Sequence, residues 1–405
     1  MSSFKNSFEL FSKWSFFLLV MTLPLGLFFN GVFSIIFFLF FTLYMISAGK
    51  INKKNPVKLL VLNIPVLLPL LSLAFSTNFD ESARIFIKTT PILFFSIFAI
   101  YMNSWFKNKV EIAFKFLVLG CLLSAIFCWL GVAFDLLNEG LSLKFLFTKE
   151  YSHHRLSEIV GVHTPYLALF INAALIFLFY GLGQGRNESS GFKLYLSFFV
   201  LVLFLVHLMA RNAIFCLVIY SVFYLLWKKK VLAFVSLSTT ITAFFVIITF
   251  TENNFLRDRF LNSLNVFEKQ KVLKKKDKRF VRWSSSLEVF KKAPVFGVGT
   301  GSVDRYRKTE YLKKLDSEAY NFNYNSHNQY IEYLCTYGLF GGGCILFLFG
   351  YILKTIYQKK SIFLAILFLS FLMSMLTESI LVRTWGISFF GILYITLYSW
   401  EERNN

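Results

Sequence analysis

Apolar residues fall along the chain in blocks of about 17–25, the length a helix needs to cross roughly 30 Å of hydrocarbon. Short polar breaks divide the blocks, which lie at about 14–29, 31–48, 57–75, 87–105, 111–135, 165–183, 194–210, 212–227, 231–250, 331–353, 361–379 and 384–400. The pattern predicts an all-α polytopic membrane protein with about twelve transmembrane helices. Lys and Arg mark every second break: Lys50, Lys53, Lys54 and Lys58; Lys107 and Lys109; Arg186 and Lys193; Lys228, Lys229 and Lys230; Lys354, Lys359 and Lys360. The positive-inside rule makes those breaks and both termini cytoplasmic. The first block runs straight into the second without a small-residue cleavage pattern, so it is read as a span and not as a cleaved leader.

Two breaks on the outer side are long. One spans about 136–164. The other, 251–330, is large enough to hold short helices and separates nine spans in 1–250 from three in 331–405. Between 252 and 326 there are 17 Lys and Arg against 9 Asp and Glu. Such a surplus suits an anionic partner: phosphate, acidic glycan or lipid headgroup. Nucleic acid is a poor fit, because the basic run at 269–278 lacks interleaved aromatics on which bases could stack. "YLKKLDSEAY" (311–320) has the spacing of a short surface helix.

Composition sharpens this picture only in places. At 56% hydrophobic with 53 Phe, the chain is too apolar for a soluble protein of 405 residues. The five cysteines lie in or beside spans with no paired spacing, and read as small buried hydrophobes. Without an H-E-x-x-H motif or an outer carboxylate cluster, no metal site is expected. "PVFGVGTGS" (294–302) lacks the strand–turn–helix context of a phosphate loop and reads as a tight turn packed on the membrane domain.

Arg211 stands out. Lys193 and Lys228 leave 34 residues for two crossings and a turn, and about 17 residues reach only about 25 Å. Arg211 should therefore sit at the outer lipid boundary, where a cation is costly unless it meets an anion or a wet cavity. Arg279 and Arg282 open an amphipathic stretch; Glu378 and Arg383 bracket the last outer turn, as an ion pair would. His153, His154 and Arg155 form a solvated loop cluster, His163 precedes Pro165 at a helix start, and His207 reads as a hydrogen-bonded core histidine.

His327-Asn328, nine residues, Gly338, two residues and Gly341 resemble the H-[N/S/Q]-x9-G-x-x-[G/T/Y] pattern of the O-antigen ligases, a superfamily shared with O-antigen polymerases and protein O-oligosaccharyltransferases. "RFVRWSSSLEVFKKAPVFGVGTGS" is similar to its R-x-x-x-W … P-x-x-G-x-G stretch. The resemblance implies a glycosyltransferase of the bacterial inner membrane, open to the periplasm, with no cofactor. Its donor would be a glycan on undecaprenyl diphosphate and its acceptor a lipid A–core or other glycan hydroxyl. Arg211 and Arg279 would hold the diphosphate, with Arg282 an alternative to Arg279, and His327 would act at the acceptor as base or orienting group. Arg282, Asn328, His163 and Glu378 would bind substrate around them. Gly338 and Gly341 would let the tenth span approach a neighbour closely. A polymerase of the same superfamily shares the donor and differs in acceptor; a lipid-linked sugar transporter would instead need two related halves and mid-membrane charges.

Overall fold

A computed structural model of the protein describes residues 2–49, 55–148, 150–182, 188–227 and 278–401. The predicted ninth span at 231–250 and the basic run up to Asp277 lie outside the described residues. Among those described there are helices and no strands. The first half comprises α1 (Ser2–Thr22), α2 (Leu27–Ala48), α3 (Pro56–Leu62), α4 (Ile64–Leu73), α5 (Phe79–Thr89), α6 (Pro91–Tyr101), α7 (Asn103–Asn138), α8 (His154–Glu158) and α9 (Thr164–Leu182). It continues with α10 (Glu188–His207), α11 (Arg211–Trp227), α12 (Lys278–Lys292), α13 (Val303–Lys313), α14 (Ser317–Asn321), α15 (Gln329–Lys359), α16 (Ile362–Ser374) and α17 (Thr384–Ser399).

Among the described residues, six segments are long and apolar enough to cross a membrane: Phe4–Leu25, Leu27–Ala48, Phe79–Tyr101, Asn103–Asn138, Thr164–Leu182 and Gln329–Lys359. The pair α3–α4, bent by 72°, makes a seventh. Phe192–His207, Arg211–Phe223, Ile362–Ser374 and Thr384–Ser399 are apolar but shorter. The chain is a multi-pass membrane protein.

Boundaries depart from the predicted ones where glycine or proline intervenes. The first crossing ends at Leu25, not 29, because Gly26 (φ 111°) turns the chain. At α3–α4, Pro65 sits in the first turn of α4 and has no N–H to continue the ladder, which forces the bend. The Leu62 carbonyl left over by the break accepts from the Tyr394 hydroxyl at 2.8 Å. Asn63 donates to Ser96 Oγ at 2.7 Å across the same bend.

Phenylalanine fills the bundle. Phe41 meets Phe98 at 4.5 Å and Phe16 meets Phe106 at 5.2 Å between ring centroids, joining α1, α2, α6 and α7. Helix α9 is buried along nearly its whole length and carries the centre of the fold. All five cysteines are free, and four are buried.

The break that most affects the site lies inside α15. Gly338 (φ 66°, ψ −164°) interrupts the helix, and the turn at 294–299 enters the gap. Val298 N–H donates to Cys335 O (3.2 Å) and Gly299 N–H to Thr336 O (2.9 Å); Leu339 and Phe340 N–H donate to Pro294 O (2.8 Å) and Val295 O (3.0 Å). The two carbonyls and two amides that a continuous helix would pair with one another pair with the turn instead. Each glycine of the turn faces protein: a Cβ on Gly297 would lie 2.3 Å from Thr336 O, and one on Gly301 2.2 Å from Ser76 Oγ. Thus "PVFGVGTGS" packs on the membrane domain, with no open cradle. The expectation for Gly338 changes too, since its close neighbour is this turn and not another span, while Gly341 faces its own helix at Tyr337. "YLKKLDSEAY" is also not one helix: Leu315 (φ 58°) divides α13 from α14.

Candidate active site

The starts of α9, α11, α15 and α17 and the ends of α4, α10 and α16 meet at one end of the bundle, with α12 laid over α15. A cavity of about 80 Å³ there is lined by Arg211, Arg279, Glu378, Thr164, Asn212 and Thr377, among others. Three of the residues that the resemblance assigns to the site, Arg211, Arg279 and Glu378, therefore face one space. Each is held by its own element. Arg211 begins α11 after a turn through Met209 (φ 52°), and Asn212 beside it donates to Thr377 Oγ1 at 2.9 Å, tying that turn to the end of α16. Arg279 lies in the first turn of α12.

His327 stands behind Glu378. Its Nδ1 lies 3.2 Å from Glu378 Oε2, and both side chains are largely enclosed. A carboxylate accepts, so Nδ1 is the donor in this bond. Nε2 is buried and has no hydrogen-bond partner among the described residues. The expected Glu378–Arg383 ion pair is replaced by this one, because the turn before α15 brings the histidine closer to the carboxylate.

That turn is tightly set. His327 has φ 46°, and its N–H donates to Asn325 Oδ1 at 2.9 Å. Asn328 caps α15, accepting from Tyr330 and Ile331 N–H, while its amide donates to Leu376 O at 3.1 Å. Asn328 thus uses both ends of its side chain in holding the turn and is absent from the cavity lining. Gln329 adds a bond to Met375 O and accepts from Leu381 N–H. Buried Glu332 accepts from Arg307 at 2.6 Å and from Ser326 N–H at 2.9 Å, fixing the residue next to His327.

Arg282 is likewise absent from the cavity lining. Its guanidinium lies 3.6 Å from Asp316 and 3.7 Å from Glu318, and stacks on Tyr324 at 4.4 Å. The Tyr324 ring in turn meets His327 at 5.5 Å. Arg282 reaches the histidine through an aromatic ring and supports its position. The two arginines are expected to separate on substitution. Arg279→Ala should reduce activity with little change in melting temperature, whereas Arg282→Ala breaks a buried pair and should cost about 3–5 kcal/mol. Thermal unfolding with activity on both variants checks this, and equal melting temperatures would contradict it.

The histidines distribute unevenly. His207 accepts from Trp129 Nε1 at 3.0 Å and lies 3.0 Å from Leu146 O, satisfied on both nitrogens as a core histidine should be. His153 lines the cavity and its ring touches His154, which lies 5.0 Å from His163. Of the predicted solvated cluster, His153 therefore joins the site's rim, while His154 is exposed and Arg155 pairs with Glu139. Desolvation in this crowded corner pulls His163 below its ordinary value, with Glu378 opposing and His154, His327 and Arg383 adding. For Glu378, burial pushes the carboxyl up, but His327, His163 and the Ser379 N–H together hold it below the usual range.

Both shifts favour the fold at neutral pH. A histidine with a depressed folded pKa contributes stability above its unfolded value of 6.5 and loses it as pH falls below. A depressed carboxyl contributes above 4.5 and loses it as pH falls through the folded value. Melting temperature in detergent, followed from pH 7.5 to 3, should therefore drop first between 6.5 and about 4, from His163, and further below 4.5, from Glu378; Glu378→Gln should flatten the part below 4.5. A pH-independent melting temperature would contradict the assignment.

Asn325, Gln329, Asn212 and Thr377 were not singled out in advance, although each lies in a short polar island beside a span, "NYNSHNQ", "ARN" and "TES". No group of three metal-ligating side chains occurs among the described residues.

No curated protein matches the chain. Residues 196–346 match the family model described as O-antigen ligase. The matched stretch runs from α10 through Arg211, Arg279 and His327 into α15 past Gly338 and Gly341. Across that stretch, the chain is similar to the O-antigen ligase family.

Proposed function

We propose that the protein is an O-antigen ligase-type glycosyltransferase. It moves a glycan from undecaprenyl diphosphate to a lipid A–core sugar hydroxyl at the periplasmic face of the inner membrane, with 251–330 on that side. The observation that carries this reading is the meeting of Arg211, Arg279 and Glu378 around one cavity, with His327 bonded to Glu378. His327 Nε2 takes the acceptor hydroxyl proton as that oxygen bonds the anomeric carbon. The anomeric carbon–phosphate oxygen bond breaks and its electron pair passes to the diphosphate. Charge growing on the leaving group is met by the two guanidinium groups, whose forked, permanent charge suits phosphate. Glu378 holds the imidazole in the required tautomer and stabilises it once protonated. Attack from the face opposite the diphosphate inverts the anomeric centre.

A surface-polysaccharide gel of a deletion strain, complemented with wild type or Arg211→Ala, tests the reading. Ligase activity predicts that the variant lacks every glycan-bearing lipid A band while long chains accumulate on undecaprenyl diphosphate. Lipid A with a single repeat unit and no ladder would assign the polymerase reaction instead, and an unchanged gel would defeat both.

A further inference from the structure

A second cavity, about 310 Å³, lies on the other side of the His327 turn and falls at the low end of ligand-site volumes. The turns at 324–328 and 379–383 divide the two spaces. Glu378 and Ile380 face the smaller one, and Asn325, Leu381, Val382 and Arg383 the larger. His327 sits within that partition. A sugar in the larger cavity and a lipid diphosphate in the smaller one would therefore lie on either side of the turn that carries His327, which itself lines neither space.

The lining of the larger cavity suits a glycan. Asn323, Asn325 and Thr300 offer hydrogen bonds, and Tyr333 and Tyr337 offer aromatic surface. Its charges are not all neutralised within the protein. Arg307 is bound to Glu332 and Asp304, and Glu81 lies in a loose 3.9 Å pair with Arg84. Lys88 and Arg383 line the cavity and form no ion pair within 4 Å among the described residues; Lys88 feels the repulsion of Arg383 and a longer-range attraction from Glu81 and Asp304. An anionic ligand group between the two cations would give both a closer partner than those carboxylates do.

We propose that this cavity seats the acceptor glycan, and that Lys88 and Arg383 hold an anionic group, phosphate or carboxylate, carried by it. The proposal rests on the ligase-type reading and adds a charge requirement for the acceptor.

The test uses the full-length enzyme in nanodiscs with its lipid-linked donor and lipid A–core acceptor, the latter before and after enzymatic removal of its phosphates. Wild type should show a lower KM for the phosphorylated acceptor. A Lys88→Gln/Arg383→Gln double variant should lose that preference, raising this KM by about 10–100-fold, as expected for lost charge-assisted hydrogen bonds. Its donor KM and its use of the dephosphorylated acceptor should stay unchanged. Lys88→Arg, which keeps the charge, should retain the preference, and melting temperatures check that each variant is folded. Wild type indifferent to acceptor phosphate, or a rise confined to the donor KM, overturns the proposal. Absence of transfer to either acceptor by folded wild type overturns the ligase-type reading, and this proposal with it.

Discussion

His327→Asn is expected to lower glycan transfer by about 10²–10⁴-fold, the usual worth of a positioned general base, with the protein still folded. Asparagine tolerates the left-handed backbone at this position, φ 46°. Its amide can still donate to Glu378, so the buried carboxylate need not stand alone, but it cannot accept a proton at neutral pH. The turn is held by bonds that do not involve the imidazole: Asn325 to the His327 N–H, Asn328 to Leu376 and Gln329 to Met375 and Leu381. Loss of activity in a variant of unchanged melting temperature would assign His327 to chemistry and not to packing. Glu378→Gln offers an independent check. Its amide can present N–H to Nδ1 and drive the ring proton onto Nε2, and a wrong tautomer of this kind can cost up to about 10⁴-fold. Wild-type turnover by His327→Asn would remove the proposed base.

Gly338→Ala should be the most damaging small substitution outside the cavity. At φ 66° and ψ −164° the residue occupies a region reserved in practice for glycine. A Cβ there would lie 2.3 Å from Val295 O and 2.5 Å from Gly297 N, both backbone atoms that cannot swing aside. Strain of about 1–3 kcal/mol from the dihedrals alone adds to the clash, and relieving the clash means expelling the turn and its four hydrogen bonds. Gly343→Ala is the matched control, because a Cβ there meets nothing within 4 Å. Membrane abundance and melting temperature of the two variants should diverge sharply; similar values would show that the turn is not locked into the helix.

The membrane character was legible because hydrocarbon demands a long apolar run for each crossing, and Arg211 was legible because the chain around it is too short. The spacing from His327 to Gly341 pointed to the family. Other features leave no trace in spacing. The entry of 294–299 into α15 consists of backbone groups some 40 residues apart, and glycines report only that room is needed. Whether Glu378 turns to Arg383 or to His327 depends on how α15 and α16 end, which side-chain pattern does not encode. Arg279 and Arg282, three apart, are equivalent on paper; the acidic pair Asp316 and Glu318 at the start of α14 distinguishes them in space.

The exchange of backbone partners at Gly338 also constrains how the protein is made. Residues 294–299 leave the ribosome first, carrying amides and carbonyls that pair only with water until 335–340 follow. A nascent α15 entering lipid pairs its own groups first, since bare amides are not tolerated there. The tenth predicted span must therefore open after insertion, giving up two rungs of its ladder as the waiting turn supplies replacements. Maturation of this protein would then include a late, post-translocational step, and His327, eleven residues ahead of the opening, would reach its final position only when that step is complete.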